Sequence, residues 1–289
     1  MPHTASISDT PSISNTSVGH YAVFGNPIAH SKSPQIHALF ARQTSQNMDY
    51  IAQQVPLDQF ETAVSAFMET GGKGLNITVP FKEKAWAFAD THSERAQRAG
   101  AVNTLIKRDN GELYGDNTDG VGLARDLILN HKIPVEARNI LLIGAGGAIR
   151  GILEALLEQQ PTSLLIANRT KPRAIELMND FADMGNINGC GLNELGQQTF
   201  DIVINGTAAS LHGKLPALPD ELFNPHACSY DLMYSARPTP FMRWSKQHGA
   251  EKIFDGLGML VEQAAESFFL WRNVKPDTET VINIIRHAL

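Results

Sequence analysis

Residues 139–173 read NILLIGAGGAIRGILEALLEQQPTSLLIANRTKPR, and this stretch decides the fold. The apolar run that follows Asn139 lacks alternation, which predicts a strand buried on both faces. A glycine-rich turn at Gly144–Ala148 follows, then a helix from about Ile149 to Gln159 and a second strand at Ser163–Ala167. This order predicts a βαβ unit in a doubly wound, parallel sheet.

The glycine-rich turn has the composition of a pyrophosphate-binding loop. Without bulky side chains its backbone N–H groups can approach a ligand closely, and the following helix N-terminus attracts negative charge. Residue 149 is Ile where the common G-x-G-x-x-G pattern has its third glycine, so the turn is a variant. A tight turn without a ligand is the alternative, but the strand–turn–helix context favours dinucleotide binding. The candidate residues are Gly144, Ala145, Gly146, Gly147 and Ala148.

The end of the second strand indicates which dinucleotide binds. NAD enzymes usually place Asp or Glu there, where it accepts a hydrogen bond from the ribose 2′-OH. This chain has no carboxylate at that point, and Lys171 stands with two arginines within six residues. A guanidinium can fork onto the oxygens of a 2′-phosphate, so the segment predicts NADP rather than NAD. A solvated basic loop is the alternative. The candidates are Asn168, Arg169, Thr170 and Arg173.

Composition excludes several other functions. The net charge of −6 gives no support for a nucleic-acid surface. No apolar run reaches the roughly 18 residues of a membrane span, and residues 1–18 lack the features of a signal peptide. Cys190 and Cys228 form no metal-ligand spacing with a histidine, so we expect no metal site. We therefore expect a cytoplasmic protein with a disordered tail at 1–18.

The first half of the chain predicts a second α/β unit. Strands are expected at His20–Gly25 and Gly74–Val79, and a helix begins at Ser33, which we interpret as its N-cap. The Asn110-Gly111 pair predicts the turn of a β-hairpin. The fold class is therefore α/β with two domains: an α/β domain at 19–118 and a Rossmann-type dinucleotide-binding domain at 119–257.

Polar residues gather where the predicted strands of the first half end. Ser31 and Ser33 follow the first strand, and Lys82 follows the third. Ligands of open α/β sheets bind at the carboxyl ends of strands. Each residue also has an ordinary structural explanation: a turn for Ser31, a surface charge for Lys82, and a helix cap for Asp119. The residues alone leave these alternatives open.

Seven motifs now point to one family. They are FGNPIAHSKSPQIH (24–37), NITVPFKEKA (76–85), AGAVNTL (99–105), GDNTDG (115–120), INGTAASL (204–211), YDLMY (230–234) and DGLGMLVEQAA (255–265). They occur in the order in which shikimate dehydrogenases carry similar motifs, and the resemblance runs from about residue 20 to 289. The chain therefore resembles an NADP-dependent shikimate dehydrogenase.

The resemblance implies a reaction and a role for each matching residue. The reaction is the reversible, NADPH-dependent reduction of 3-dehydroshikimate to shikimate, in the chorismate pathway to aromatic amino acids. Lys82 and Asp119 match the catalytic acid/base pair. The implied substrate ligands are Ser31, Ser33, Asn76, Thr78, Asn103, Tyr234 and Gln263. Further residues match positions nearer the nicotinamide: Thr207, Leu232, Gly256 and Met259.

The resemblance further implies that helices at 258–289 return to complete the substrate domain. We expect either a monomer or a homodimer, and the sequence leaves this choice open. Two departures concern binding contacts: Ala208 stands where the family often has Ser, and Ala38 where Asn is common. Two alternatives stay open. One is a broader quinate/shikimate dehydrogenase, and the other is a catalytically silent, ligand-sensing relative.

Overall fold

Two six-stranded sheets form the framework of the protein. A computed structural model describes residues 18–207, 209 and 214–289, so all but the last residue of the tail predicted at 1–18, and the departure at residue 208, lie outside the described residues. The first sheet has the order β2-β1-β3-β5-β6-β4 and the second β12-β11-β10-β7-β8-β9, which confirms the α/β class.

The strands of the first sheet are β1 (Gly19–Gly25), β2 (Met48–Gln54), β3 (Gly72–Ile77), β4 (Thr91–His92), β5 (Thr104–Lys107) and β6 (Leu113–Asp116). Those of the second are β7 (Asn139–Ile143), β8 (Ser163–Asn168), β9 (Ile187–Gly191), β10 (Phe200–Asn205), β11 (Phe223–Asp231) and β12 (Lys252–Asp255).

The helices are α1 (Ser33–Gln43), α2 (Phe60–Glu69), α3 (Lys82–Phe88), α4 (Glu94–Ala99), α5 (Asp119–Arg125), α6 (Gly147–Leu157), α7 (Lys171–Asp180), α8 (Pro240–Gln247), α9 (Leu257–Arg272) and α10 (Thr278–His287). A π-helical turn at Asp126–Asn130 continues α5. Among the described residues, no helix is long and apolar enough to span a bilayer.

The second sheet is parallel throughout and confirms the predicted Rossmann-type unit. Its central strand β7 is buried from Ile140 to Ile143, as expected for an apolar run covered on both faces. β8 and β9 lie on one side of β7, and β10 to β12 lie on the other. The strand order therefore reverses between β7 and β10, and the carboxyl ends of these two strands are the place where such sheets bind dinucleotides.

The first sheet combines parallel and antiparallel strands. β1 pairs in parallel with β2 and β3, whereas β3, β5 and β6 pair antiparallel. The predicted hairpin joins β5 to β6, and Gly111 takes the positive φ of 87° in its turn. The parallel strands β1 and β3 direct their carboxyl ends, and the polar residues that follow them, toward the same edge.

The C-terminal helices pack on the first sheet after the second is complete. Ile36 and Phe40 of α1 share a buried cluster with Val261 and Phe268 of α9 and Ile285 of α10. From these contacts we propose a substrate domain at 19–118 with 258–289 and a cofactor domain at 119–257.

Helix α5 approaches two other helices closely because of its glycines. A Cβ atom at Gly120 would lie 2.9 Å from the Cβ of Ala155 on α6. One at Gly122 would lie 2.8 Å from the Cβ of Gln263 on α9. The helix that begins with Asp119 is thus held between the helix after the glycine-rich turn and the helix that returns to the first sheet.

Candidate active site

A cavity of about 860 Å³ opens at the carboxyl end of the first sheet. All of the predicted catalytic and substrate residues line it, together with three predicted cofactor residues. These are Ser31, Ser33, Asn76, Thr78, Lys82, Asn103, Asp119, Tyr234 and Gln263, with Leu232, Gly256 and Met259. Residues far apart in the sequence therefore face one space.

The Lys82 ammonium and the Asp119 carboxylate form an ion pair in this cavity. Nζ of Lys82 donates to Oδ2 of Asp119, and the two side chains are 25% and 9% exposed. Lys82 is the first residue of α3 and Asp119 the first of α5. The N-cap of α5 is Thr118, so the alternative that Asp119 merely caps its helix is wrong. The pair provides a positioned proton donor beside a carboxylate.

Asn103 fixes the orientation of the carboxylate. Its Oδ1 accepts from the backbone N–H of Thr118 at 2.9 Å, which sets the direction of the amide. Its Nδ2 then donates to Oδ1 of Asp119 at 2.8 Å and reaches Oε1 of Gln263 at 3.3 Å. With Lys82 on the other oxygen, both carboxylate oxygens of Asp119 have a donor.

The side-chain amide of Asn76 forms hydrogen bonds to neighbouring residues of the protein. Its Nδ2 donates to the backbone oxygen of Asn103 at 3.2 Å and to the Ser267 hydroxyl at 3.0 Å. Its Oδ1 accepts from the Tyr50 hydroxyl at 2.7 Å. No local sequence pattern indicates Tyr50 or Ser267, because each contacts Asn76 only through tertiary packing.

Ser33, the second serine after β1, does not cap α1 as predicted. Lys32 is the N-cap, and Ser33 already has helical geometry, so the prediction that Ser33 is the N-cap was wrong. The reason is local: the Ser33 backbone N–H points back at the hydroxyl of Ser31, 3.3 Å away. Both hydroxyls lie at the cavity, beside the first turn of an 11-residue helix.

Tyr234 and Gln263 line the cavity from segments that follow β11 and β12 of the second sheet. Burial raises the pKa of the Tyr234 hydroxyl, and the charge of Asp255 adds to the rise, so the hydroxyl is a neutral donor. Gln263 donates through Nε2 to the Leu260 oxygen at 2.8 Å and turns its Oε1 toward Asn103. Both side chains are therefore held by the helix and loop that follow β11 and β12.

The glycine-rich turn offers open backbone at the start of α6. Gly144 has a φ of +112°, which favours glycine, and a Cβ at Gly146 or Gly147 would meet no atom within 4 Å. Gly146 is the N-cap, and the first turn of α6 contains no acidic residue. These features suit a pyrophosphate, which needs close approach to N–H groups and a favourable field.

Close contacts connect this turn with residues of the cavity. A Cβ at Gly144 would lie 3.3 Å from Cγ2 of Thr207, and one at Gly206 would lie 3.3 Å from Cδ1 of Leu232, a cavity residue. A Cβ at Gly151 would lie 3.3 Å from Oδ2 of Asp119. The ends of β7, β10 and β11 thus lead from the turn to the ion pair.

The basic segment after β8 divides into paired and unpaired cations. Nζ of Lys171 donates to Oε1 of Glu194 at 2.8 Å. Arg169 and Arg173 are exposed, and neither side chain bonds to any residue that the structure describes. Asn168 turns its amide to the Thr170 oxygen at 3.0 Å. The two guanidinium groups fit a phosphate at this strand end, so the residues present suit NADP.

Three family models match the chain in sequence order. The Shikimate dehydrogenase substrate binding domain matches residues 23–105, and the Shikimate / quinate 5-dehydrogenase model matches 127–213. The Shikimate 5′-dehydrogenase C-terminal domain matches 256–286.

Individual relatives match over nearly their full length. The shikimate dehydrogenase (NADP(+)) of Alkalilimnicola ehrlichii is 57% identical over 92% of this chain and 98% of its own. That of Cellvibrio japonicus is 52% identical over 93% and 97%. The structure of a Thermus thermophilus shikimate 5-dehydrogenase in complex with NADP(H) and shikimate superposes with a TM-score of 0.84, at 34% identity over 94% of this chain and 100% of that one.

Proposed function

Because this chain belongs to the shikimate dehydrogenase family, we propose that it catalyses the reversible, NADPH-dependent reduction of 3-dehydroshikimate to shikimate. The family, the enzyme class and the cofactor predicted from the sequence are confirmed by relatives named NADP-dependent shikimate dehydrogenases. The direction of the reaction, its place in the chorismate pathway and the residue roles below are parts of the proposal.

The substrate carboxylate binds at Ser31 and Ser33. Two hydroxyl donors beside the first turn of α1 suit an anion, since a helix N-terminus carries partial positive charge. The ring then extends along the cavity toward Asn103 and Gln263. Thr78, Asn76 and Tyr234 form the walls that contact its hydroxyl groups.

Lys82 and Asp119 manage the proton. Bound NADPH supplies the hydride, and the protein's task is to orient the carbonyl group and stabilise its oxygen. The Lys82 ammonium lies in the cavity, so it can stabilise the charge that develops on that oxygen and donate a proton to it. Asp119, fixed by Asn103, holds the ammonium in place.

NADP is held along the carboxyl end of the second sheet. Gly144–Ala148 would bind the pyrophosphate, and Arg169 and Arg173, with Asn168 and Thr170 beside them, would bind the 2′-phosphate. Thr207, Leu232, Gly256 and Met259 would contact the nicotinamide end, because they connect the turn with the cavity.

The observation that carries the proposal is the Lys82–Asp119 pair in a cavity that also contains Ser31 and Ser33. The test is NADPH absorbance with purified protein and shikimate or quinate, each with NADP⁺ or NAD⁺. We expect rapid reduction of the nicotinamide cofactor only when shikimate is combined with NADP⁺. Activity with quinate or NAD⁺ would identify the broader enzyme, and folded protein that binds NADPH without turnover would identify a sensor.

The acid/base role has its own test. We expect Lys82→Met to lower kcat by about 10²–10⁴-fold, the usual contribution of a general acid–base group. Lys84→Met is the matched control, since Lys84 lies on the same helix and donates to the Leu57 oxygen on the exposed surface. A near-normal kcat in the Lys82→Met enzyme would show that Lys82 is not the acid/base group.

A further inference from the structure

One buried carboxylate has no part in the mechanism above. Asp126 follows α5 and is 0% exposed. Its Oδ2 accepts from the Tyr230 hydroxyl at 2.6 Å, and its Oδ1 accepts from Nδ2 of Asn130 at 2.8 Å. Nε2 of His131 lies 3.4 Å from Oδ2. A carboxylate removed from water is costly unless it is well hydrogen-bonded, so its position calls for a reason.

The carboxylate lies against the first turn of α9. A Cβ at Gly258 would fall inside contact distance of the Asp126 carboxylate, so the absence of a side chain there admits the carboxylate. Burial raises the pKa of the Tyr230 hydroxyl well above its usual range, and the charge of Asp126 adds to the rise, whereas the Met259 backbone N–H opposes it. N–H groups of a first helical turn have no partner within the helix. Asp126 and Tyr230 therefore meet a turn that needs acceptors and attracts negative charge.

That turn carries side chains into the cavity. Met259 lies in it, and Gln263 follows one turn later; both line the cavity. Asp126 stands seven residues after Asp119, two helical turns along the same face. The segment formed by α5 and the π-helical turn thus carries the catalytic carboxylate at its start and contacts the first turn of α9 at its end.

We propose that Asp126 and Tyr230 are positioning residues that set the placement of Met259 and Gln263 relative to the Lys82–Asp119 pair. The proposal rests on the function proposed above. The hydroxyl of Tyr230 links the end of β11 to the turn that follows α5, and the carboxylate of Asp126 in that turn packs against Gly258 at the start of α9. If the Asp126–Tyr230 hydrogen bond is removed, α9 keeps its apolar packing, but the carboxylate that packs against its first turn is no longer held in place.

The test uses Tyr230→Phe and Asp126→Asn in the full chain. We expect kcat to fall about 10- to 100-fold, as small misplacements remote from the chemistry do, while the KM for shikimate changes much less. The isotope effect with shikimate deuterated at the carbon that loses hydride should rise, because transfer becomes slower relative to other steps. Tyr21→Phe is the control: it removes the hydroxyl of another buried tyrosine, which lies in the first sheet.

Amide hydrogen exchange provides a readout apart from turnover. We expect faster exchange at residues 257–260 in both variants than in the wild type. The double variant should lose no more kcat than the worse single variant, because both changes break one link. The proposal would be overturned if either variant kept the wild-type kcat, or if amide exchange at residues 257–260 were unchanged. It would also be overturned if the two single losses in kcat multiplied in the double variant, or if both variants failed to fold. Wild-type protein that does not oxidise shikimate would instead refute the proposed function, and exchange together with NADPH binding would still test the link.

Discussion

His37 makes the stability of the protein depend on pH in a way that the structure predicts. Its ring is 0% exposed and stacks on Tyr50 with ring centroids 4.1 Å apart and planes within 10°. Among the described residues, neither ring nitrogen of His37 has a hydrogen-bond partner. Burial lowers the pKa of His37 from 6.5 to about 3, and the nearby Asn76 amide opposes the shift only in part.

The folded protein becomes less stable as the pH falls, because the unfolded chain takes up the proton at His37 first. As pH falls below about 6.5 the unfolded chain protonates at His37 while the folded chain does not, so stability is lost progressively until the folded pKa of about 3 is reached. At about 1.4 kcal/mol per pH unit, the interval from pH 7 to pH 5 removes about 2 kcal/mol. Above pH 7 the group contributes no further change.

The perturbation is His37→Phe, which keeps a ring on Tyr50 and removes the titrating group. Urea unfolding at pH 7, 6 and 5 should show that the variant loses about 2 kcal/mol less than the wild type over this range. Phe40→Leu, on the same helix, should be less stable but parallel to the wild type. Parallel curves for wild type and His37→Phe would refute the reasoning, because they would mean that the unfolded and folded chains bind the proton equally.

Two further predictions concern the cofactor and the helix contacts. Changing Arg169 and Arg173 to Ala should raise the KM for NADPH about 10- to 100-fold, since hydrogen bonds to charged groups contribute roughly 1.5–3 kcal/mol, and should leave the KM for NADH nearly unchanged; equal effects would place the 2′-phosphate elsewhere. Gly122→Ala should destabilise the protein by about 1–3 kcal/mol and lower kcat, because the new Cβ would lie 2.8 Å from the Gln263 Cβ and the Met259 oxygen. Urea unfolding and steady-state kinetics measure both effects, and an unchanged kcat would show that α9 can shift without cost to the reaction.

The sequence predicts helices and strands well where the hydrophobic periodicity and the turn residues at the ends of an element agree. β7 and α6 follow from an apolar run, a glycine turn and a helical pattern. The edge strand β9 has the sequence INGCG, with one β-branched residue and two glycines, and it forms by backbone pairing to β8. Helix α4 is six residues long, too short for a periodic pattern, although Ser93 caps it through the Ala96 N–H at 3.1 Å.

In the candidate site, too, some residues could be predicted from the sequence, whereas the contacts between them could not. Lys82 and Asp119 could be singled out because they follow strand ends and match family motifs, but their pairing across 37 positions is a tertiary fact. The hydroxyl of Ser267 lies 2.8 Å from that of Thr104 in a fully buried network, and neither residue stood out in the sequence. Contacts of this kind depend on where α9 crosses the first sheet, which no local pattern specifies.

Helix α5 explains why its glycines occur beside a catalytic carboxylate. Glycine costs about 1 kcal/mol in a helix interior, and α5 contains Gly120 and Gly122 within seven residues. A larger residue at either position would collide with Ala155 of α6 or with Gln263 of α9. The glycines therefore weaken the isolated helix and permit the approach that places Asp119 between the nucleotide turn and the substrate cavity. Stability lost locally is recovered by packing, whereas the proximity could not be obtained with larger residues at these positions.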